Sequence, residues 1–273
     1  MPDDTLKVAT FNANSIRSRL ALILDWLRRE APDVLCVQET KVQDPDFPVT
    51  AFTEAGWHVA FRGQKAHAGV AIISREEPAE VASGFDAGTS TSSAPGEPDH
   101  PRLLRAVIRG VPVVNTYVPQ GRSPDSEYFQ YKLAWFGRLR ELFEREYAPD
   151  RPLIWVGDFN VAPDPIDVYD PVKLDGQVDY HPAARAALAG VKAWGFVDVF
   201  RVHHPEPEQY SYYDYRIPNA VQRKMGWRID HIWATAALAE RSTAAWIDLA
   251  ARLAEKPSDH TFVVAEFHMD ARP

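Results

Sequence analysis

Leu153-Ile154-Trp155-Val156-Gly157-Asp158-Phe159-Asn160-Val161-Ala162-Pro163 is an apolar run that ends abruptly in a carboxylate and an amide. Four large or branched apolar residues behind Arg151-Pro152 predict a strand covered on both faces, one that delivers polar side chains to a sheet edge. Gly157 is expected to let the chain turn there, and Pro163 to stop it. If the backbone stays extended, Asp158 and Asn160, two residues apart, leave on the same face, one as acid or base and the other as hydrogen-bond partner. An ordinary Gly-Asp turn is the alternative for the segment taken alone.

The same pattern recurs outward from this strand. Leu6–Asn12 predicts a first strand, followed by a helix with Leu20, Ile23, Leu24 and Leu27 at helical spacing and closed by Pro32. Asp33–Gln38 predicts a second buried strand with Glu39 at its end, as Asp158 stands at the end of the central one. Trp57–Phe61 and Gly69–Ser74 are further strands, and Arg102–Ile108 with Val111–Tyr117 make a hairpin turning at Arg109-Gly110. Ser123–Ser126 starts the longest helix, whose stripe is Tyr128, Tyr131, Trp135, Leu139 and Leu142. Ala183–Trp194 is a second amphipathic helix, while Trp227–Ala234, Thr243–Leu249 and Thr261–Phe267 complete the strands. Asp86–Pro101, rich in Ser, Thr, Gly and Pro, is expected to be a long surface loop. Hairpins mixed with helix-linked strands point to a layered α/β fold with mixed sheets.

Composition narrows the class. A chain of 273 residues, 45% hydrophobic and 25% charged, is that of a globular protein, expected here as one domain over 1–273. No apolar run approaches bilayer length, and Met1-Pro2-Asp3-Asp4 lacks a basic, apolar leader, so the expected location is the cytoplasm, away from membranes. The single cysteine, Cys36, sits in an apolar run and is expected to be a packed, inert thiol. A net charge of −8 argues against indiscriminate nucleic-acid binding but says little about any one face.

Asn12, Glu39, Asp158, Asn160, Asp230, Asp259 and His260 all fall at or beside strand ends, which in layered α/β folds gather into one crevice. The set is rich in oxygen and holds one histidine and no cysteine, which favours a hard cation such as Mg²⁺ or Mn²⁺ over zinc. Each has an ordinary alternative: Glu39 a rim carboxylate, Asn12 a turn residue, Asp230 a buried partner for Arg228, Ser258-Asp259-His260 a loop or helix start.

Taken together, seven ordered segments resemble the exonuclease III family of apurinic/apyrimidinic endonucleases, within the wider endonuclease–exonuclease–phosphatase superfamily. They are Phe11–Arg19, Gln38–Lys41, Gly63–Lys65 followed by Gly69–Ala71, Asn115–Gly121, Gly157–Asn160, Trp227–Asp230 and Lys256–His260. Departures are Asn14, where some relatives carry aspartate, and His231, where others carry an apolar or aromatic residue. The resemblance implies a four-layer α/β sandwich, two mixed sheets packed face to face and flanked by helices. It implies a Mg²⁺-dependent DNA-repair phosphodiesterase, with Mn²⁺ as substitute, incising 5′ to abasic sites and trimming 3′ ends by exonuclease and 3′-phosphatase action. The implied partner is double-stranded DNA containing abasic sites or 3′ ends, met by a monomer.

By the same resemblance Asn12, Glu39, Asp158, Asn160, Asp259 and His260 are the candidate metal residues, and Tyr117, Asp158, Asn160, Asp230 and His260 the catalytic ones. Asp230 is expected to orient His260. Tyr212 and Trp227 match the walls of a pocket for a flipped abasic sugar, although a run of four tyrosines between 210 and 215 also suits a core. Arg223 and Lys224 lie in a stretch from Arg216 to Arg228 without acids, suited to a phosphate backbone; Asn14, Arg17, Lys65, Gln120 and Arg122 are further DNA candidates. Two other functions remain open at this point: a superfamily phosphatase acting on inositol phosphates or sphingolipids, and a non-catalytic DNA-binding module.

Overall fold

The structure, a computed structural model, describes residues 4–65, 67–85 and 100–269. The expected loop Asp86–Pro101 therefore lies, up to residue 99, outside the described residues. In chain order the strands are β1 (Thr5–Asn12), β2 (Val34–Gln38), β3 (His58–Arg62), β4 (Val70–Ser74), β5 (Ala79–Ser83), β6 (Leu103–Ile108), β7 (Val111–Tyr117), β8 (Ile154–Asp158), β9 (Phe196–Asp198), β10 (Asp230–Thr235), β11 (Ser242–Asp248) and β12 (Phe262–His268). The main helices are α1 (Leu20–Glu30), α2 (Val49–Glu54), α3 (Glu127–Glu146), α4 (Pro182–Lys192) and α5 (Val199–His203).

Two six-stranded mixed sheets result, ordered β11-β12-β1-β2-β4-β3 and β5-β6-β7-β8-β10-β9. Each has one parallel pair at its centre, β1 with β2 and β7 with β8, and antiparallel neighbours outside it. A parallel pair needs a long crossover, supplied by α1 in one sheet and α3 in the other. Both helices end as their sequences require. Ser126 caps α3 by accepting from Phe129 N–H, and α1 stops at Ala31, whose left-handed φ of 50° precedes Pro32.

Side-chain alternation sorts the strands into layers. Leu6, Val8, Val34 and Cys36 of the first sheet meet Val111, Val113, Ile154, Val156 and Ile232 of the second, and form the central core. The opposite faces carry aromatics. Phe11, Phe262 and Trp26 stack under α1, and Trp155, Phe143 and Phe196 pack beneath α3 and α4. Each such fully buried large side chain contributes roughly 2–3 kcal/mol of transfer free energy. The result is the expected four-layer sandwich.

At one end of the sandwich the inward-facing stripes turn from apolar to polar. Leu6 and Val8 give way to Thr10 and Asn12, Cys36 to Gln38, Val113 to Asn115 and Tyr117, and Ile154 and Val156 to Asp158. Gln38 donates to Asn115 across the two sheets at 2.7 Å, and Asn115 donates to the Val37 and Ala71 carbonyls, so the buried polar groups of this layer are paired.

Several local expectations change. The strand does not turn at Gly157 but runs through it to Asp158; a Cβ there would lie 2.0 Å from the Thr116 carbonyl oxygen, and the φ of 139° also demands glycine. The turn comes at Asn160, at a left-handed φ of 49°. The strand expected from Trp227 starts only at Asp230, with Trp227 in isolated bridges to Val168 and Tyr212. On α3 the buried stripe holds Phe129 and Lys132, whereas Tyr128 is only partly buried and stacks with Arg122 at 3.4 Å. The short edge strands β5 and β9 were not foreseen.

Candidate active site

The polar ends of the stripes converge because strand register places them side by side. Asp158 is paired with Tyr117 on one flank and with Asp230 on the other, and Asn12 ends β1 one position before Glu39 leaves β2. Asn12 sits between the sheets with its Nδ2 donating to Glu39 Oε1 and to Asp158 Oδ2, both at 2.8 Å. Its own oxygen accepts from Asn14 N–H, so in this arrangement Asn12 bridges two carboxylates rather than offering its oxygen outward. Glu39, at a left-handed φ of 51°, also pairs with Lys41 at 2.8 Å. Burial alone would raise its pKa, but Lys41, Asn12 and His260 outweigh that and hold it below the usual range.

A second cluster faces the first. His260 Nδ1 lies 2.8 Å from Asp230 Oδ2, and its Nε2 points at Asp158 Oδ2 from 3.9 Å. Asp230 is fixed in turn: its Oδ2 accepts from Ser211 Oγ at 2.6 Å, while Ser211 Oγ accepts the Asp230 N–H. Arg228 does not pair with Asp230; it turns to the opposite face of β10, to Asp167 and Asp198. Burial would lower the His260 pKa, yet Asp230, with Asp158 and Asp259 behind it, raises it strongly, so the ring is held protonated. Asp158 is also pushed up, first by burial and then by Asp230 and Glu39, against His260 and Asn12. Tyr117 is raised by burial and by Glu39 beside it.

Oxygen or nitrogen ligand atoms of Glu39, Asp158 and His260 lie within 4.8 Å of one another, a spacing that a metal ion could bridge. The two carboxylates, Glu39 and Asp158, are donors for a hard divalent cation and are held together by the Asn12 amide, while an imidazolium pinned by Asp230 suits an anion instead. Asp259 is tied to Asn14 Nδ2 at 3.0 Å and to Ser258, on the rim of this group. Asn160 reaches Asp158 through its backbone N–H, 2.9 Å from Oδ1, and its side chain donates to the Val118 carbonyl. The left-handed turn is why the two side chains do not leave on one face.

Beside His260 the Tyr212 ring lies at 4.8 Å, Trp227 packs on Tyr212 at 5.7 Å, and Tyr169 meets Trp227 edge-on. Tyr212 and Trp227 are partly exposed, over a small apolar cluster that includes Leu174, Tyr180 and Ile229.

The basic candidates scatter. Arg17 pairs with Asp46, and Lys65 is exposed. Gln120 donates to Asp179. The Arg216–Arg228 stretch is less positive than its own composition suggests, because Arg216 is taken by Asp214 and Lys224 by Glu208, both from just outside it. Arg223 is exposed, and its guanidinium donates to the Pro218 carbonyl at 3.4 Å. His231 is buried on the outer face of β10, accepting from Arg228 at Nδ1 and donating from Nε2 to the Val161 carbonyl, out of reach of any DNA.

Sequence reasoning missed Ser211, Lys41, Lys132, Asp179 and Ser258. Lys41 and Ser258 lay inside quoted segments. Lys132 carried a signal in being a lysine at a stripe position, whereas Ser211 and Asp179 join the site only through tertiary contact.

A model of the Endonuclease/Exonuclease/phosphatase family matches residues 9–260. The chain is similar to exodeoxyribonuclease III of Haemophilus influenzae, 32% identical over 274 residues that cover 96% of this chain and 100% of that protein. Among solved structures it is similar to an AP endonuclease from Archaeoglobus fulgidus, with a TM-score of 0.91 and 48% identity over 96% of this chain and 99% of that one. It is also similar to the 3′ phosphatase NExo from Neisseria bound to a product DNA hairpin, with a TM-score of 0.88 and 36% identity over 96% and 99% of the two chains.

Proposed function

This chain belongs to the endonuclease/exonuclease/phosphatase family, and from that premise we propose that it is a Mg²⁺-dependent DNA-repair nuclease. It incises double-stranded DNA 5′ to abasic sites and trims 3′ ends as exonuclease and 3′-phosphatase, working as a monomer built from one domain. The observation that carries this reading is that the Glu39–Asn12–Asp158 cluster faces the His260–Asp230 pair across 3.9 Å, a cation site set against an anion-binding imidazole.

Phosphodiester hydrolysis needs a positioned water, charge neutralisation on the phosphoryl oxygens and help for the leaving oxygen. Glu39 and Asp158 would hold the cation; bound there, Mg²⁺, or Mn²⁺ in its place, polarises the phosphate and offsets charge on the leaving 3′-oxygen. His260, oriented by Asp230, holds a phosphate oxygen at Nε2. Asp158 orients and accepts a proton from the attacking water. Asn160 fixes Asp158 through its N–H, and Tyr117, beside Glu39, hydrogen-bonds the phosphate. The partly exposed Tyr212 and Trp227 supply an apolar wall against which an abasic sugar turned out of the duplex can pack, where a full nucleotide would not fit.

Incision of a duplex containing one abasic site, with Mg²⁺ and with EDTA, tests the reading. Metal-dependent cleavage 5′ to the lesion is expected. Hydrolysis of a soluble inositol phosphate with an intact abasic duplex, or duplex binding with no cleavage at any Mg²⁺ concentration, would each refute it.

A further inference from the structure

We infer that Lys132 is a positioning residue for this site, acting through the backbone of the loops that carry Asn160 and Gln120. The side chain lies on α3 with no exposure to solvent. Its Nζ reaches the Asn160 carbonyl at 2.6 Å, the Gln120 carbonyl at 3.1 Å and the Val178 carbonyl at 3.3 Å, with Asp179 Oδ1 at 3.5 Å as a nearby counter-charge. Those carbonyls belong to three separate segments: the chain leaving β7, the turn leaving β8, and the 3₁₀ turn Val178–Tyr180. An ammonium has three N–H donors, and here each has a carbonyl to meet.

Burying an ammonium is costly, and an apolar side chain of similar volume would often be neutral or better for stability. The charge is placed where it does something an apolar group cannot, holding three oxygen-bearing loops at a common point. Asn160 is the loop residue at a left-handed φ, and the peptide plane after it is set by the bond to Lys132. The peptide plane before it presents the N–H that Asp158 Oδ1 accepts. Lys132 thus fixes from behind the turn that orients Asp158, and through Gln120 and Asp179 the neighbouring wall of the crevice.

This inference rests on the nuclease reading for its kinetic consequence but not for its structural one. Lys132→Met keeps the stem and removes every donor. Amide hydrogen exchange, which needs no substrate, is expected to speed up together around Gln120, Asn160 and Val178 while the buried half of α3 stays protected. On the abasic duplex kcat is expected to fall on the order of 10- to 100-fold, the scale of a slight misplacement of reacting groups, with KM and the affinity measured in EDTA within about threefold of the parent. Leu142→Ala, on the same helix and fully buried, is the control: it costs stability without touching these loops and should leave kcat within about twofold. If Lys132→Met shows no cooperative melt, Lys132→Gln is read the same way, and failure of both to fold overturns the inference by assigning the ammonium to stability alone. A folded Lys132→Met with parental kcat and exchange, or an equal kcat loss in Leu142→Ala, also overturns it. An inactive parent enzyme would sink the nuclease reading, while the exchange pattern still decides the role of Lys132.

Discussion

Replacing His231 should change how the stability of the protein depends on pH, by an amount that can be worked out beforehand. The ring is fully buried, and because Arg228 can only donate, Nδ1 must be the acceptor and Nε2 must carry the proton given to Val161. Burial, and then the Arg228 guanidinium, push the imidazole down to about 3. An unfolded histidine titrates near 6.5, so as pH falls below that value the unfolded chain takes up a proton that the folded chain refuses. Stability is therefore lost as pH falls from about 6.5 towards 3, at a limiting slope of about 1.4 kcal/mol per pH unit. Between pH 7 and pH 5 the integrated loss is about 2 kcal/mol, and it hardly depends on the folded value because pH 5 stays well above it. His231→Asn keeps an acceptor for Arg228 and removes the titration. It should be less stable than the parent at pH 7, by roughly 1–3 kcal/mol for the lost bond to Val161. That deficit should shrink by about 2 kcal/mol at pH 5. Urea unfolding of both proteins in EDTA, at the two pH values and one ionic strength, gives the double difference in which other titrations cancel. Parallel losses in the two proteins would refute the assignment of a neutral, buried His231.

Glu39→Gln, which keeps shape and loses charge, should lower Mg²⁺ affinity and incision together, with partial recovery at high Mg²⁺; an unchanged Mg²⁺ titration would count against Glu39 as the metal carboxylate. Asp230→Asn and His260→Asn should each slow turnover by about two orders of magnitude, and the double variant should be hardly worse than either, since the pair acts as a unit. Losses that multiply would show independent roles. In salt titrations of duplex binding, Arg223→Ser should flatten the log–log slope by about one unit and Lys224→Ser by less, because Glu208 already compensates Lys224. Equal effects would contradict the observed pairing. Trp227→Ala should leave that slope alone and erode discrimination between abasic and intact duplex; unaltered discrimination would remove Trp227 from the pocket wall.

The layers and the site's centre were legible because local rules carry them. A strand covered on both faces shows as a continuous apolar run, and Glu39 and Asp158 each stand where such a run breaks. That Asp230 reaches His260 over thirty residues was carried by family resemblance; no local pattern contains it. What stayed hidden depends on tertiary pairing. The acid-free stretch around Arg223 was counted correctly and yet is largely neutralised, since Asp214 and Glu208 fold back onto it. Asn160 was expected to act through its side chain, but whether a residue leaves a strand extended or left-handed is settled by what receives its carbonyl, here a lysine from a helix. Two edge strands escaped, β5 because it is largely exposed and so carries no apolar alternation, and β9 because three residues are too few to show a period.

The division of the site between the sheets has a consequence for the life of the chain in a cell. Asn12 and Glu39 come from one sheet, Asp158 and Asp230 from the other, and His260 from the approach to β12, which threads back to pair with β1. A ribosome-bound chain thus carries its first carboxylate long before the histidine that must oppose it exists. A contiguous fragment holds both halves only if it runs from residue 12 to residue 260, nearly the whole chain. In a nascent, proteolysed or heat-damaged copy whose sheets are not packed, these groups lie on separate segments, so the site is assembled only when both sheets and the chain leading into β12 are in place.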